Sequence, residues 1–104
     1  MLANLHPNKI RILKIVFKVH LSGITSLKEK RSRLAPIWSG LRANLFCAVE
    51  ESGDRDVSSR LEMTIVVLAE DADTARSRAD SLIAWLEGNF RSEEWSDHQL
   101  DWLE

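Results

Sequence analysis

Apolar and polar residues alternate along the segment that follows the first nine residues. From Ile10 to Leu21, every second side chain is apolar on one side, and period two over this length is typical of a strand with one buried face. The buried side contains Leu13, Ile15, Phe17, Val19 and Leu21. Weaker alternation recurs at residues 45–49, 61–69 and 95–104. The pattern therefore predicts four strands.

Two of the intervening segments have a helical period instead. Ser26 followed by Glu29 is a capping-box signature, in which the Ser oxygen accepts a first-turn N–H and the Glu side chain reaches back. We expect Pro36 to bend this first helix without ending it. Its apolar stripe contains Leu27, Leu34, Trp38, Leu41 and Leu45. The stripe of the second helix contains Ala75, Ala79, Leu82, Ile83, Leu86 and Phe90.

The predicted order of elements is strand, helix, strand, strand, helix, strand. Two right-handed split βαβ units in this order give an α+β, ferredoxin-like βαββαβ sandwich. Its four-stranded antiparallel sheet has the order 4-1-3-2, with both helices on one face. We expect residues 10–104 to form a single domain and residues 1–9 to form an N-terminal arm.

The charges are divided between the two halves of the chain. Residues 1–47 have a net charge of +8, residues 48–104 have −10, and the whole chain has −2. A generic nucleic-acid-binding protein is basic overall, so this chain is expected to use a local basic patch if it binds nucleic acid. The alternative is that the opposite charges pair within the molecule or between two copies of it.

One segment resembles a known family. The run from His20 to Arg31 reads H-L-S-G-I-T-S-L-K-E-K-R, and its pattern H-L-x-G-x-x-S-L-K-E-K-R is similar to that of the bacterial YlxP-like family, domain of unknown function 503. The resemblance implies a ferredoxin-like fold. It also implies an association with ribosomes or RNA, because genes of the family often lie among those of translation factors. The resemblance implies no reaction, because no activity is established for the family.

The same segment supplies a candidate anion-binding or nucleic-acid-binding site. The first turn of a helix presents backbone N–H groups and the positive end of its dipole, which suit a phosphate or a carboxylate. The candidate residues are Gly23, Ser26, Lys28, Lys30, Arg31 and Arg33. The alternative is structural, since Lys30 and Arg31 flank the apolar stripe and can pair with acidic residues of the same chain.

The sheet face that the helices leave open is a candidate dimer interface. Left in water, its aliphatic side chains would form an apolar patch, which usually marks an interaction surface. The candidate interface residues are Ile12, Val16, Phe46, Val66 and Leu68. The open-face positions of the first and third strands contain no aromatic residue, so we do not expect bases to stack there.

These patterns favour a non-catalytic binding module, homodimeric and associated with RNA or the ribosome. Two alternatives stay open: a small-anion-binding domain or enzyme that uses the turn from Gly23 to Arg31, and a structural protein that self-associates. No catalytic constellation can be assembled, and we expect neither a cofactor nor a metal, because the chain has no C-x-x-C motif and no glycine-rich phosphate loop. The apolar runs are too short to span a membrane, and Cys47 has no disulfide partner, so we expect a cytoplasmic protein.

Overall fold

Six elements follow one another along the chain in the predicted order. The computed structural model describes residues 9–104, so the predicted arm lies outside the described residues except for Lys9. The elements are β1 (Arg11–His20), α1 (Leu27–Arg42), β2 (Cys47–Gly53), β3 (Arg60–Ala69), α2 (Ala72–Gly88) and β4 (Ser96–Trp102).

The four strands form one antiparallel sheet in the order β2-β3-β1-β4. This is the predicted order 4-1-3-2 read from the other edge, so the ferredoxin-like prediction is confirmed. In the centre of the sheet, β1 and β3 pair over their whole length, from Arg11 opposite Ala69 to His20 opposite Arg60.

The core lies between the helices and one face of the sheet. Every second residue of β1 and β3 is buried, as the alternation predicts, because a one-residue shift would turn the whole apolar set towards water. The fully buried side chains of these strands include Leu13, Ile15, Phe17, Leu61, Met63, Ile65 and Val67. The other face of the sheet is not covered by any element of residues 9–104.

Helix α1 begins and continues as the sequence predicts. The Ser26 Oγ accepts the N–H of Glu29 at 3.1 Å, and the helix runs through Pro36 to Arg42. Its buried face contains Lys30, Leu34, Ile37 and Leu41. Trp38 was expected on that face but is only half-buried, because the buried arc is centred closer to Ile37.

The expectation that Leu45 faces the core is wrong. Leu45 follows the end of α1, precedes β2, and is 92% exposed. The reason is local: Asn44 Oδ1 accepts the N–H of Phe46 at 2.8 Å, which makes a tight turn between the two elements. The core face of β2 is therefore provided by Cys47 and Val49 alone.

A buried carboxylate connects three parts of the fold. The side chain of Glu94, just before β4, is fully buried and accepts the N–H of Ser22 at 3.0 Å and the N–H of Arg91 at 2.9 Å. It also pairs with the Arg33 guanidinium at 2.6 Å. Glu94 thus ties the β1–α1 loop, α1 and the segment after α2 together.

These contacts control the ionisation of Glu94. Burial alone would raise the pKa of Glu94, but the two backbone N–H donors and Arg33 outweigh it, so the pKa lies below its ordinary value. The unfolded chain then binds a proton at a higher pH than the folded protein does. The stabilisation is therefore present above the unfolded pKa of about 4.3 and is lost as the pH falls through the folded pKa.

We predict that Glu94→Gln lowers the free energy of unfolding at pH 7 by about 1–3 kcal/mol, because a neutral amide replaces a charge-assisted acceptor. The deficit should shrink below pH 4, where the wild-type carboxylate is itself protonated. Urea denaturation from pH 7 to pH 3 measures both effects. The exposed neighbour Glu93 provides the control, since Glu93→Gln should change little at any pH. A deficit that stays constant with pH would contradict this role of Glu94.

Candidate functional site

The start of α1 has the turn that the sequence predicts. Gly23 has a φ of 72°, which an L-residue rarely adopts, and Ser26 caps the helix. Glu29 bends back over this turn: its carboxylate accepts the N–H of Thr25 at 3.2 Å and the hydroxyl of Thr25 at 3.1 Å. A carboxylate of the chain thus lies at the helix start, where a small anion would have to bind. This placement disfavours the small-anion alternative at the turn itself.

Lys30 points into the protein. It is only 3% exposed, and its ammonium donates to the carbonyl oxygens of Asp54 at 2.7 Å and Val57 at 3.0 Å. It also pairs with the Glu51 carboxylate at 3.1 Å. With three acceptors around its three N–H donors, Lys30 fixes the β2–β3 turn against α1 and is not placed to meet an external anion.

Arg33 is also engaged inside the molecule. Its guanidinium pairs with the buried Glu94 and lies over the ring of Phe90, with 5.4 Å between the guanidinium carbon and the ring centroid. The structure therefore does not bring Lys30 and Arg33 together with the other candidate cations. The alternative that Lys30 and Arg31 pair with acidic residues of the same chain is correct for Lys30. It is not correct for Arg31, which is exposed and has no acidic partner within residues 9–104.

The outer flank of α1 presents the cations that remain. Lys28, Arg31, Trp38 and Arg42 follow one another at spacings of three, seven and four residues, which places them along one side of a helix. We call this set the basic stripe. Arg42 lies over the Trp38 ring, 5.6 Å from its centroid, and none of the three cations forms an ion pair within the described chain. The sequence analysis assigned Lys28 and Arg31 to the candidate site but not Trp38 and Arg42. The spacing that places these two residues on the same side of the helix can be read from the sequence.

A further cation joins this end of the molecule through the tertiary fold. The exposed Arg91, which follows α2, has its Nη1 only 3.9 Å from the position that a Cβ on Gly23 would occupy. Gly23 and Arg91 are close only because Glu94 binds the N–H groups of both Ser22 and Arg91. No local pattern in the sequence indicates this proximity.

The open sheet face has one charged end and one mainly aliphatic end, in which Lys14 lies between Ile12 and Val16 and opposite Val66. Ile12, Val16 and Val66 are half-buried on this face, and Leu68 is exposed at its end. Across β1 and β3, Ile12 lies opposite Leu68, and Val16 lies opposite Thr64. These four candidate interface residues are therefore close together.

Phe46, the fifth candidate, lies elsewhere. It precedes β2, and its ring packs under the Arg78 guanidinium of α2, 3.7 Å from the guanidinium carbon to the ring centroid. The prediction began the alternation of β2 at residue 45, two residues before the strand starts at Cys47, so it assigned the ring to the wrong side of the sheet. We therefore exclude Phe46 from the open-face interface.

The charged end of the open face contains an aromatic pair that sequence reasoning missed. Trp95 is 64% exposed, and its ring stacks on His20 with 5.7 Å between the ring centroids. Next to them Arg60 pairs with Asp54 at 3.5 Å. Trp95 is the first residue of the weakest predicted strand, but β4 begins one residue later, so alternation does not determine the side on which its ring lies.

The described residues offer little for metal or thiol chemistry. Among residues 9–104, no group of three or more His, Cys, Asp or Glu side chains is arranged to hold a metal ion. Burial raises the pKa of the Cys47 thiol, which contacts the Leu41 carbonyl oxygen at 3.5 Å.

Within residues 9–104, no helix combines the length and the apolar character needed to cross a membrane.

Comparison with solved structures identifies similar folds. SnoaB, a cofactor-independent oxygenase from Streptomyces nogalater, has a TM-score of 0.54 and 18% identity over 88% of this chain and 91% of SnoaB. The de novo designed protein Foldit4 has a TM-score of 0.51 and 11% identity over 88% of this chain and 96% of its own. At these identities the similarity concerns the fold alone. No curated protein matches the chain.

The sequence match agrees with the resemblance noted in the segment from His20 to Arg31. The model of one family, described as "Protein of unknown function (DUF503)", matches residues 12–98. This range includes the turn at Gly23, the whole of α1, both buried charge contacts and the first three residues of β4. The chain therefore belongs to the DUF503 family.

Proposed function

We propose that this protein is a non-catalytic module that binds RNA, in a ribosomal context, through the basic stripe. The observation that carries the proposal is the unpaired state of Lys28, Arg31 and Arg42 within the described residues. Exposed cations of a folded protein are often offset by nearby acids, whereas here Glu51 and Glu94 are already engaged by Lys30 and Arg33. The carboxylate of Glu29 is turned back onto Thr25 at the helix start and forms no ion pair with the stripe. The stripe therefore has charge available for a partner.

The composition of the stripe favours single-stranded RNA over a compact anion. Three cations along a 16-residue helix suit a string of phosphates, because a small anion can contact only one part of the stripe. Trp38 adds an aromatic surface beside Arg42, and bases of a single strand stack on such surfaces. The association with ribosomes that the family resemblance implies is consistent with this partner.

We predict that Lys28→Glu together with Arg31→Glu weakens the binding of a labelled oligouridylate by about tenfold or more. Each reversed charge removes one phosphate contact and repels the strand. The slope of the logarithm of affinity against that of salt concentration should also fall by about 1.4, at about 0.7 per contact for single strands. Fluorescence anisotropy at several salt concentrations measures both changes.

The matched control reverses two cations that lie elsewhere. Arg76 of α2 pairs with Asp80, and Lys18 of β1 pairs with Glu62. The double variant Arg76→Glu, Lys18→Glu has the same net charge as the double variant of the stripe. It therefore distinguishes RNA contacts made by the stripe from an effect of net charge alone. Equal weakening by both double variants, or no RNA binding by the wild type, would overturn the proposal.

We also propose that the protein is a homodimer that buries the mainly aliphatic end of the open sheet face. Ile12, Val16, Val66 and Leu68 form a half-buried to exposed aliphatic patch around the Lys14 side chain, and no element of the described chain covers it. A second copy would remove that patch from water at a gain of about 25 cal/mol per Å² of apolar surface. The charged end with Trp95 would remain outside the contact.

We expect Val16→Glu to make the protein monomeric, because the contact would take a charged carboxylate out of water against the apolar side chains of the second copy. Sedimentation velocity of the wild type and the variant at micromolar concentration tests this. Thr64→Glu, opposite Val16 on β3, should act in the same way if the patch is the interface. Asp97→Asn at the charged end is the control and should leave the dimer intact. A wild type that sediments as a monomer would refute the assembly.

A further inference from the structure

A groove of about 450 Å³ lies between α1 and α2. Its volume is within the range of about 300–1,000 Å³ that is typical of small-molecule sites. The residues that determine its chemistry are Gly40, Phe46, Ser77, Arg78, Ser81 and Trp85. None of them belongs to the basic stripe or to the dimer patch.

The apolar wall of the groove depends on a close contact between the two helices. A Cβ placed on Gly40 would lie 2.7 Å from two carbons of the Trp85 ring, so only glycine lets the indole lie this close to α1. This explains a glycine in the last turn of α1, although glycine costs up to about 1 kcal/mol relative to alanine inside a helix. Trp85 is thereby held as a wall of the groove and remains partly exposed. The buried Leu82 lies beneath it.

The charged group of the groove is Arg78, and it is held rigidly. Its guanidinium packs on the Phe46 ring, and its Nη1 donates to the carbonyl oxygen of Leu68 at 3.0 Å. No carboxylate lines the groove, and Arg78 forms no ion pair within residues 9–104. The pKa of the exposed Asp71 is lowered first by its hydrogen bonds with Thr74 and also by the charge of Arg78, but Asp71 does not line the groove.

We propose that this groove binds a small amphipathic carboxylate, with its apolar or aromatic part against Trp85 and Phe46 and its carboxylate on Arg78. The planar guanidinium matches a carboxylate through paired N–H donors, and its fixed position reduces the entropy lost on binding. The hydroxyl groups of Ser77 and Ser81, one helical turn apart, line the same groove and provide further donors.

The charge of the groove excludes other ligand classes. A polyphosphate would need several cations, and the groove has one. A cationic ligand would be repelled by Arg78 and would find no lining carboxylate. A neutral apolar ligand would cover the guanidinium without pairing its charge, which is unfavourable. A monoanion with an apolar body fits both the single cation and the walls.

Two probes of equal shape test this inference: 2-naphthoate and its neutral analogue 2-naphthylmethanol. Isothermal titration calorimetry, together with the NMR shift of the Trp85 indole N–H, measures their binding. The wild type should bind naphthoate about tenfold or more tightly than the alcohol, and naphthoate should shift the Trp85 signal. Arg78→Gln should bring naphthoate to the level of the alcohol, whereas Arg76→Gln, on an exposed part of the same helix, should keep the preference.

A second variant keeps the test decisive if Arg78→Gln does not fold. Ser81→Phe places a ring inside the groove and leaves Arg78 in place, so it should abolish the binding of both probes. Equal affinity of the wild type for the acid and the alcohol would overturn the inference. So would no binding at millimolar concentration, or undiminished naphthoate binding by folded Arg78→Gln or Ser81→Phe.

Discussion

The orientation of α1 depends on two cations that are turned inwards. Lys30 reaches under the helix to Glu51 and to the carbonyl oxygens of the β2–β3 turn, and Arg33 reaches on the other side to the buried Glu94. Removing one partner of a fully buried charge pair costs about 3–5 kcal/mol. The cost is smaller here, because Glu51 and Arg33 are partly exposed, but it still disfavours rotation of the helix out of these contacts. The remaining cations of α1 must then face outwards.

Because some cations of α1 face inwards and others outwards, the helix has three different surfaces. The buried arc packs on the sheet, and the outer flank presents Lys28, Arg31 and Arg42 without acidic partners in the described chain. The third surface meets α2, where Gly40 admits the ring of Trp85 and leaves a groove next to Arg78. The two proposed binding sites thus depend on the same two internal contacts, although they share no residue.

The fold could be predicted from the sequence because its determinants are local and periodic. The alternation of β1 and β3 specifies the core face, and the Ser26 and Gly23 signals define the start of α1. Which cations of α1 form internal ion pairs and which stay exposed could not be predicted in this way. The acidic partners of Lys30 and Arg33 lie 21 and 61 residues away in the sequence. Leu45 and Phe46 were misplaced for a different reason: a short turn at Asn44 shifts the start of β2, and a boundary error of two residues reassigns both side chains.

The most direct test compares Lys30→Gln with Arg31→Gln, two neighbours in one basic run. Both the free energy of unfolding and the affinity of the folded protein for oligouridylate are measured. We expect Lys30→Gln to lower the free energy of unfolding by about 2–4 kcal/mol, because it leaves Glu51 and two carbonyl oxygens without their donor, and to leave RNA affinity unchanged. Arg31→Gln should keep stability within about 0.5 kcal/mol and weaken RNA binding. Equal loss of RNA affinity in the two variants, or equal loss of stability, would contradict the assignment of Lys30 to an internal contact and of Arg31 to RNA binding.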